Sequence, residues 1–204
     1  MATQLRVASK QEADEVSQLI FYAYKEFAYL ICNSEDESTV LSRMKQLALN
    51  EKPLPISIHN FQAMVGDHGE IVGGFAAYPI IQTLYLYQNL YKALLEYKFF
   101  AALDTKVKLS PRLMNILGKD TEWQLPYADA FYLDAFAIHS RFRGQRLAPV
   151  MMEYVKACAI EKGCTSVVLL AREDMVSFYA RLGFHTNQFL DSGEEDFFVM
   201  HTII

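Results

Sequence analysis

Cysteine is scarce in this chain of 204 residues, with three in all, Cys32, Cys158 and Cys164. The number is odd and no Cys-x-x-Cys pair occurs. Reduced, structural thiols in a cytoplasmic protein are the simplest account, and no metal is called for. Long apolar runs are also missing. No uninterrupted stretch reaches the roughly 18 residues of a membrane span. The opening Met1-Ala2-Thr3-Gln4-Leu5-Arg6 lacks the apolar run of a signal peptide, so no membrane partner is expected. Positive charge is in deficit: net charge is −5 and pI is about 5.5. Nucleic-acid binding would want a basic face, so none is expected. No Ser-His or Cys-His arrangement argues for a covalent relay. What the chain does have is core. It is 52% hydrophobic and 21% charged, as in soluble globular proteins. Its length suits a single domain over 1–204, or one domain with an insertion.

Hydrophobic periodicity and breakers predict the elements. Leu5 to Ala8 reads as a strand, and 11–32 as a helix with Val16, Leu19, Ile20, Ala23, Phe27 and Leu30 along one side. A helix over about 39–49 stops at Asn50, Pro53 and Pro55. Ile56 to Val65 and Glu70 to Tyr78 form a hairpin around Gly66-Asp67-His68-Gly69. Phe131 to Ile138 is a strand, followed by a helix to about Lys162 that Gly163 ends, and Val167 to Ala171 is a buried strand. Asp174 caps a short helix through Leu182, stopped by Gly183. Phe184 to Phe189 and Asp196 to Ile203 pair antiparallel. Strand 131–138, helix 146–162 and strand 166–171 make a βαβ unit with parallel strands. The hairpins on either side imply antiparallel neighbours. The expected fold is therefore α/β (α+β), with a mixed, mostly antiparallel sheet of six to seven strands flanked by helices. Residues 80–129 interrupt it as an insertion between the third and fourth strands, helical over about 82–103 and again near 111–117. Its Leu84, Tyr85, Tyr87, Leu90, Tyr91, Leu94, Leu95, Tyr97, Phe99 and Phe100 exceed one narrow helical stripe. Plain packing, an acceptor pocket, a lid and a homodimer contact are all open to them.

The most informative stretch is Arg141-Phe142-Arg143-Gly144-Gln145-Arg146-Leu147-Ala148. Three arginines crowd a helix start whose first turn holds no acid. The helix dipole makes cations there unfavourable by roughly 0.3–1 kcal/mol each. The free N–H groups of that turn also want acceptors. Both features make sense together if an anion sits there, and phosphate is the usual guest. A solvated basic turn is the alternative.

In this context the chain resembles the GNAT superfamily of acetyl-CoA-dependent N-acetyltransferases. Arg143 to Ala148 is similar to that family's Gln/Arg-x-x-Gly-x-Gly/Ala motif after a strand. Leu133 to Ser140 looks like its fourth strand. Ser177-Phe178-Tyr179-Ala180-Arg181-Leu182-Gly183-Phe184 is similar to its second signature, Phe/Leu-Tyr-x-x-x-Gly-Phe. Two departures stand out. Arg146 replaces the motif's first glycine, and its N–H still points at phosphate if its backbone angles are helical. Arg172 replaces a frequent asparagine, and no role is carried over to it.

The resemblance implies direct acetyl transfer from acetyl-CoA to a primary amine, with a small molecule as the leading acceptor. A protein N-terminus or lysine is the alternative acceptor, and a non-catalytic CoA-binding sensor is the alternative class. The pyrophosphate is expected on the N–H groups of Gly144, Gln145, Arg146, Leu147 and Ala148, with Arg143 and Arg146 as cations. The pantetheine arm is expected beside Phe136, Ala137 and Ile138, between splayed fourth and fifth strands. Tyr179 is the expected acid for the leaving thiolate. Asp134 is the candidate base, placed by strict alternation on one face with Tyr132, Phe136 and Ile138. It could equally cap a backbone group or pair with an arginine. His139 is a weaker candidate. Glu26 could recognise a cationic substrate, or belong to a solvated helix face.

Overall fold

The structure, a computed structural model, describes residues 2–100, 122–191 and 196–204. Seven strands form one sheet in the order β1-β2-β3-β4-β5-β7-β6. They are β1 (Gln4–Val7), β2 (Phe61–Val65), β3 (Ile71–Pro79), β4 (Ala130–Ile138), β5 (Ser166–Arg172), β6 (His185–Asp191) and β7 (Asp196–Ile203). Every neighbouring pair is antiparallel except β4–β5. This mixed, mostly antiparallel sheet is the fold class expected from the sequence.

Helices cover both faces. On one lie α1 (Ala13–Tyr24), α2 (Glu26–Cys32), α3 (Glu37–Ala48) and α4 (Thr83–Glu96). Their Leu19, Met44 and Leu90 pack with Ala76, Tyr78 and Tyr132 of the sheet in one apolar core. On the other lie α5 (Leu147–Glu161) and α6 (Glu173–Ala180). There Met151, Met152 and Val155 pack with Phe75, Leu133 and Leu169 in a second core.

Local chemistry sets the helix ends. Asp36 caps α3 by accepting from the Thr39 N–H at 2.8 Å. Gly163, at φ 72°, ends α5, and the Cys164 N–H donates back to the Ala159 carbonyl at 2.9 Å. Asp174 is not the cap of α6. Arg172 holds the N-cap position in extended backbone, and Asp174 lies in the first turn. The helix expected over 11–32 is split at Lys25, which adopts φ 46°, ψ −117° between α1 and α2. Neither glycine nor proline marks that break. The tertiary fold holds a conformation that costs an ordinary residue about 1–3 kcal/mol.

The insertion lies between β3 and β4. Its helix α4 starts at Thr83 and ends at Glu96, short of the expected 103, and a 3-10 turn spans Glu122–Tyr127. The helix expected near 111–117 falls outside the described residues. Tyr87, Leu90, Leu94 and Phe99 are buried, whereas Leu84 and Tyr85 are 52% and 56% exposed. Packing thus accounts for one face of α4 and leaves two large apolar side chains on the other. Among the described residues no helix is long and apolar enough to cross a membrane.

Two irregularities of β4 shape the middle of the molecule. Its parallel pairing with β5 covers Ala130↔Ser166, Phe131↔Val167 and Tyr132↔Val168 and then stops. Beyond that point β4 stays paired with β3, and β5 with β7, so the two strands part. The expected splaying of the fourth and fifth strands is present. The second irregularity is a β-bulge. Ala76 pairs with Ala135 and Ala77 with Leu133, leaving Asp134 as the extra residue. A bulge inverts the alternation that follows it. Tyr132, Ala135 and Ala137 belong to the core under α1–α4, while Phe136 and Ile138 pack against the core under α5. The strict alternation read from the sequence, with Asp134, Phe136 and Ile138 on one face, is therefore corrected. Asp134 faces the α1–α4 side and the two apolar residues face the other.

Candidate active site

The opening between β4 and β5 leads into a cleft of about 860 Å³. Residues from both faces of the sheet line it, so it passes through the sheet where the strands separate. Of the expected site residues, Asp134, Phe136, Ala137, Ile138, Arg143, Gly144, Arg146, Leu147, Ala148 and Tyr179 all line this cleft. Gln145 does not line it; its side chain is exposed.

The α5 end of the cleft is built from one short segment. After β4, a 3-10 turn over Ser140–Phe142 brings the chain to the start of α5. Arg143 Nε donates to the Ile138 carbonyl at 3.2 Å, and its guanidinium lies 5.9 Å from the Tyr22 ring. Gly144 adopts φ 78° and Arg146 φ 58°, both left-handed. The helical angles allowed for Arg146 are thus the wrong hand: the turn needs the conformation glycine adopts freely and makes arginine adopt it. The cost to an L-residue is roughly 1–2 kcal/mol. Arg146 is the N-cap of α5, no side chain caps the helix, and the first turn holds no acid. Among the described residues, no carboxylate forms an ion pair with Arg141, Arg143 or Arg146. Uncapped N–H groups, a helix dipole and the two arginines that line the cleft, Arg143 and Arg146, therefore lie together, a donor set suited to a phosphate-bearing ligand.

Tyr179 of α6 approaches the cleft from the same face. Its ring packs against Phe178, Phe184 and Phe136 at centroid distances of 5.1, 5.8 and 6.4 Å. Burial raises the phenol above its ordinary value, so it carries its proton at neutral pH.

The opposite end is a carboxylate inside a ring of tyrosines. Tyr78 donates to Asp134 Oδ2 at 2.9 Å and Tyr87 to Oδ1 at 3.3 Å, and the Tyr24 phenol lies beside them. Burial pushes Asp134 up to about 6, while the neighbouring hydroxyls of Tyr78, Tyr24 and Tyr87 hold it down. Burial, and then the Asp134 charge, push Tyr24, Tyr78 and Tyr87 well above the ordinary phenol range. The cage therefore stays protonated and donating, while Asp134 titrates just below neutrality. Tyr132 and Trp123 extend the aromatic wall, 5.8 Å apart.

The sequence pointed to Asp134 but not to its cage. Tyr24, Tyr78 and Tyr87 come from α1, β3 and α4 and carry no motif. Two lesser candidates have partners of their own. Glu26 lines the cleft but is ion-paired with Arg172 at 2.6 Å, and Arg172 also binds Asp174 at 3.0 Å. Its own backbone N–H, and then Arg172, hold the Glu26 carboxyl below the usual range. His139 sits in the loop, where its Nδ1 accepts from the Arg141 N–H at 3.3 Å. Burial and the neighbouring Arg141 and Arg143 lower its pKa. Among the described residues, no three His, Cys, Asp or Glu side chains gather as a metal site.

A seven-stranded sheet thus parts at its single parallel pair, over a cleft with a cationic helix N-terminus. Residues 116–184, about a third of the chain, match the model of the Acetyltransferase (GNAT) family. The fold is shared with an acetyltransferase of known structure at TM-score 0.70 and 17% identity, over 98% of this chain and 99% of that one. A polyamine N-acetyltransferase from Drosophila melanogaster, which forms N-acetylagmatine, aligns at TM-score 0.61 and 13% identity over 100% of both chains. The PaiA N-acetyltransferase of Thermoplasma acidophilum, solved with coenzyme A, aligns at TM-score 0.56 and 13% identity, again over 100% of both. At these identities the likeness is one of fold. No curated protein sequence matches the chain.

Proposed function

We propose that the protein transfers the acetyl group of acetyl-CoA directly to the primary amine of a small molecule. The observation that carries this reading is the cleft through the sheet. It joins an uncapped, arginine-flanked helix start on one face to a caged carboxylate on the other. Acetyl-CoA supplies an acetyl thioester on a polyanionic carrier. Its pyrophosphate suits the N–H groups of Gly144 to Ala148 with Arg143 and Arg146, and its arm suits the unpaired edge of β4 at Phe136 to Ile138.

Asp134 and Tyr179 divide the proton work. An alkyl ammonium has an ordinary pKa near 10.4, so the acceptor must lose a proton before it attacks. Asp134, ionised at neutral pH and held by Tyr78 and Tyr87, takes that proton. The C–N bond forms as the C–S bond breaks; the protonated Tyr179 phenol donates to the departing thiolate, and the nitrogen, now carrying one proton too many for an amide, gives its second proton back to the Tyr179 phenolate through solvent. Asp134 then releases its proton to solvent, closing the balance.

Thiol release from acetyl-CoA across a panel of amines tests the reading. Amine-dependent release is expected, with kcat lowered about 10²–10³-fold in Tyr179→Phe, the usual scale for loss of a positioned acid. Tight acetyl-CoA binding without release for any amine would overturn it in favour of a non-catalytic binder.

A further inference from the structure

Acyl transfer to an amine makes three demands, and Asp134 and Tyr179 meet two of them. Asp134 takes a proton from the amine, and Tyr179 gives one to the sulfur. The third demand is a donor for the carbonyl oxygen, which gathers negative charge as the C–N bond forms. A side chain suited to that role must lie between Asp134 and Tyr179, keep its proton at neutral pH and have its hydrogen free.

Tyr132 meets these conditions. It stands opposite Val168 in the last pair before β4 and β5 part, which puts it at the lip of the opening. It lines the cleft and is buried. Tyr78 and Trp123 hold its ring at centroid distances of 5.7 and 5.8 Å. Each oxygen of Asp134 already accepts from Tyr78 or Tyr87, and among the described residues the Tyr132 hydroxyl has no hydrogen bond. Burial, then the Asp134 charge and then Tyr179 push its phenol well above the ordinary range. The hydroxyl therefore stays protonated, and it lies close enough to feel both proton-transfer groups.

The carrier would bring its thioester to the same place. With the pyrophosphate on the α5 turn and the arm beside Ile138 to Phe136, the arm runs back along β4 toward residues 134 and 132. The acetyl group then arrives where the strands part, with its sulfur toward Tyr179 and the incoming nitrogen toward Asp134.

We propose that the Tyr132 hydroxyl is the oxyanion donor of acetyl transfer. The inference rests on the acetyl-transfer reading and deepens it. As nitrogen adds to the carbonyl carbon, the C=O π pair moves onto oxygen, and Tyr132 donates a hydrogen bond to that oxygen without giving up its proton. As the C–S bond breaks, the pair returns, C=O re-forms and Tyr132 is unchanged.

Infrared difference spectra of acetyl-CoA labelled with carbon-13 at the carbonyl read this contact without turnover. The carbonyl stretch is expected at lower frequency when bound than in solution, and to return most of the way in Tyr132→Phe. A band unshifted in the unaltered protein, or equally shifted in the variant, overturns the inference. Replacing Tyr132 with 3-fluorotyrosine nearly keeps the shape and makes the phenol a stronger donor. The band should then move further down, and a band that stays in place overturns the assignment as well. In turnover, Tyr132→Phe is expected to lower kcat about 10²–10³-fold, the usual scale for loss of one oxyanion donor, with coenzyme A affinity and melting temperature unchanged. The acid limb of the pH–rate profile should stay near 6, whereas loss of a tyrosine that only supported Asp134 would move it. No thiol release with any amine defeats acetyl transfer and this inference with it; release undiminished in Tyr132→Phe defeats the inference alone.

Discussion

The two ends of the cleft are built in different ways. The α5 end is local: six consecutive residues, Arg143 to Ala148, bring the N–H groups, the left-handed turn and the charge together. The Asp134 end is assembled from positions 24, 78, 87 and 134, on four separate elements. A local site tolerates change around it because its geometry comes from one turn and one helix dipole. An assembled site depends on the whole α1–α4 face staying in register with the sheet. On the proposed reading, binding chemistry is concentrated in a segment, and the base in the tertiary core.

The largest test of this contrast is Asp134→Asn. It is expected to lower kcat by about 100-fold or more by removing the proton acceptor. In the unaltered protein, activity should fall as pH drops through about 6, because Asp134 must be ionised to accept a proton. Stability should move the other way. Asp134 titrates at about 6 in the fold against an ordinary 3.8. The native state therefore holds more protons across that window, and stability declines as pH rises through it. Asn carries no such penalty. The variant should be more stable at pH 7 by about 1–3 kcal/mol, with the advantage gone below about pH 4. Thermal unfolding across pH, beside a pH–rate profile, checks both signs; a variant less stable at pH 7 would count against the burial argument.

A smaller effect is expected at the other end. Arg143→Glu should weaken acetyl-CoA binding by more than tenfold, about 1.4 kcal/mol, measured by titration calorimetry. Unchanged affinity would remove the phosphate from the α5 turn. Tyr87→Phe deletes one of the hydrogen bonds that hold Asp134 ionised, so the acid limb of the pH–rate profile should move upward by up to about one unit. A limb that stays in place would show the cage to be structural. The smallest change is Arg146→Gly. Relief of the left-handed arginine should raise stability by about 1 kcal/mol, or roughly 2–4 °C in Tm, while the lost charge modestly weakens acetyl-CoA binding.

Legibility followed the same division. Arg143 to Ala148 and Tyr179 could be read because strand, turn, helix and signature follow one another along the chain. Asp134 could be named but not oriented: the bulge that turns it away from Phe136 and Ile138 comes from the register with β3. The break at Lys25 was invisible because no glycine or proline marks it. Glu26 stood as a free carboxylate in the sequence because Arg172, its partner in space, is 146 positions away.

The order of strands and helices, the parallel crossover and the cationic helix start were determined by the sequence alone, since periodicity, breakers and charge act over a few neighbouring residues. The parting of β4 from β5, the hand of Arg146 and the tyrosine cage around Asp134 were decided by tertiary structure. Each depends on register and burial between segments far apart in the chain, and no local pattern encodes which distant hydroxyl will meet which carboxylate.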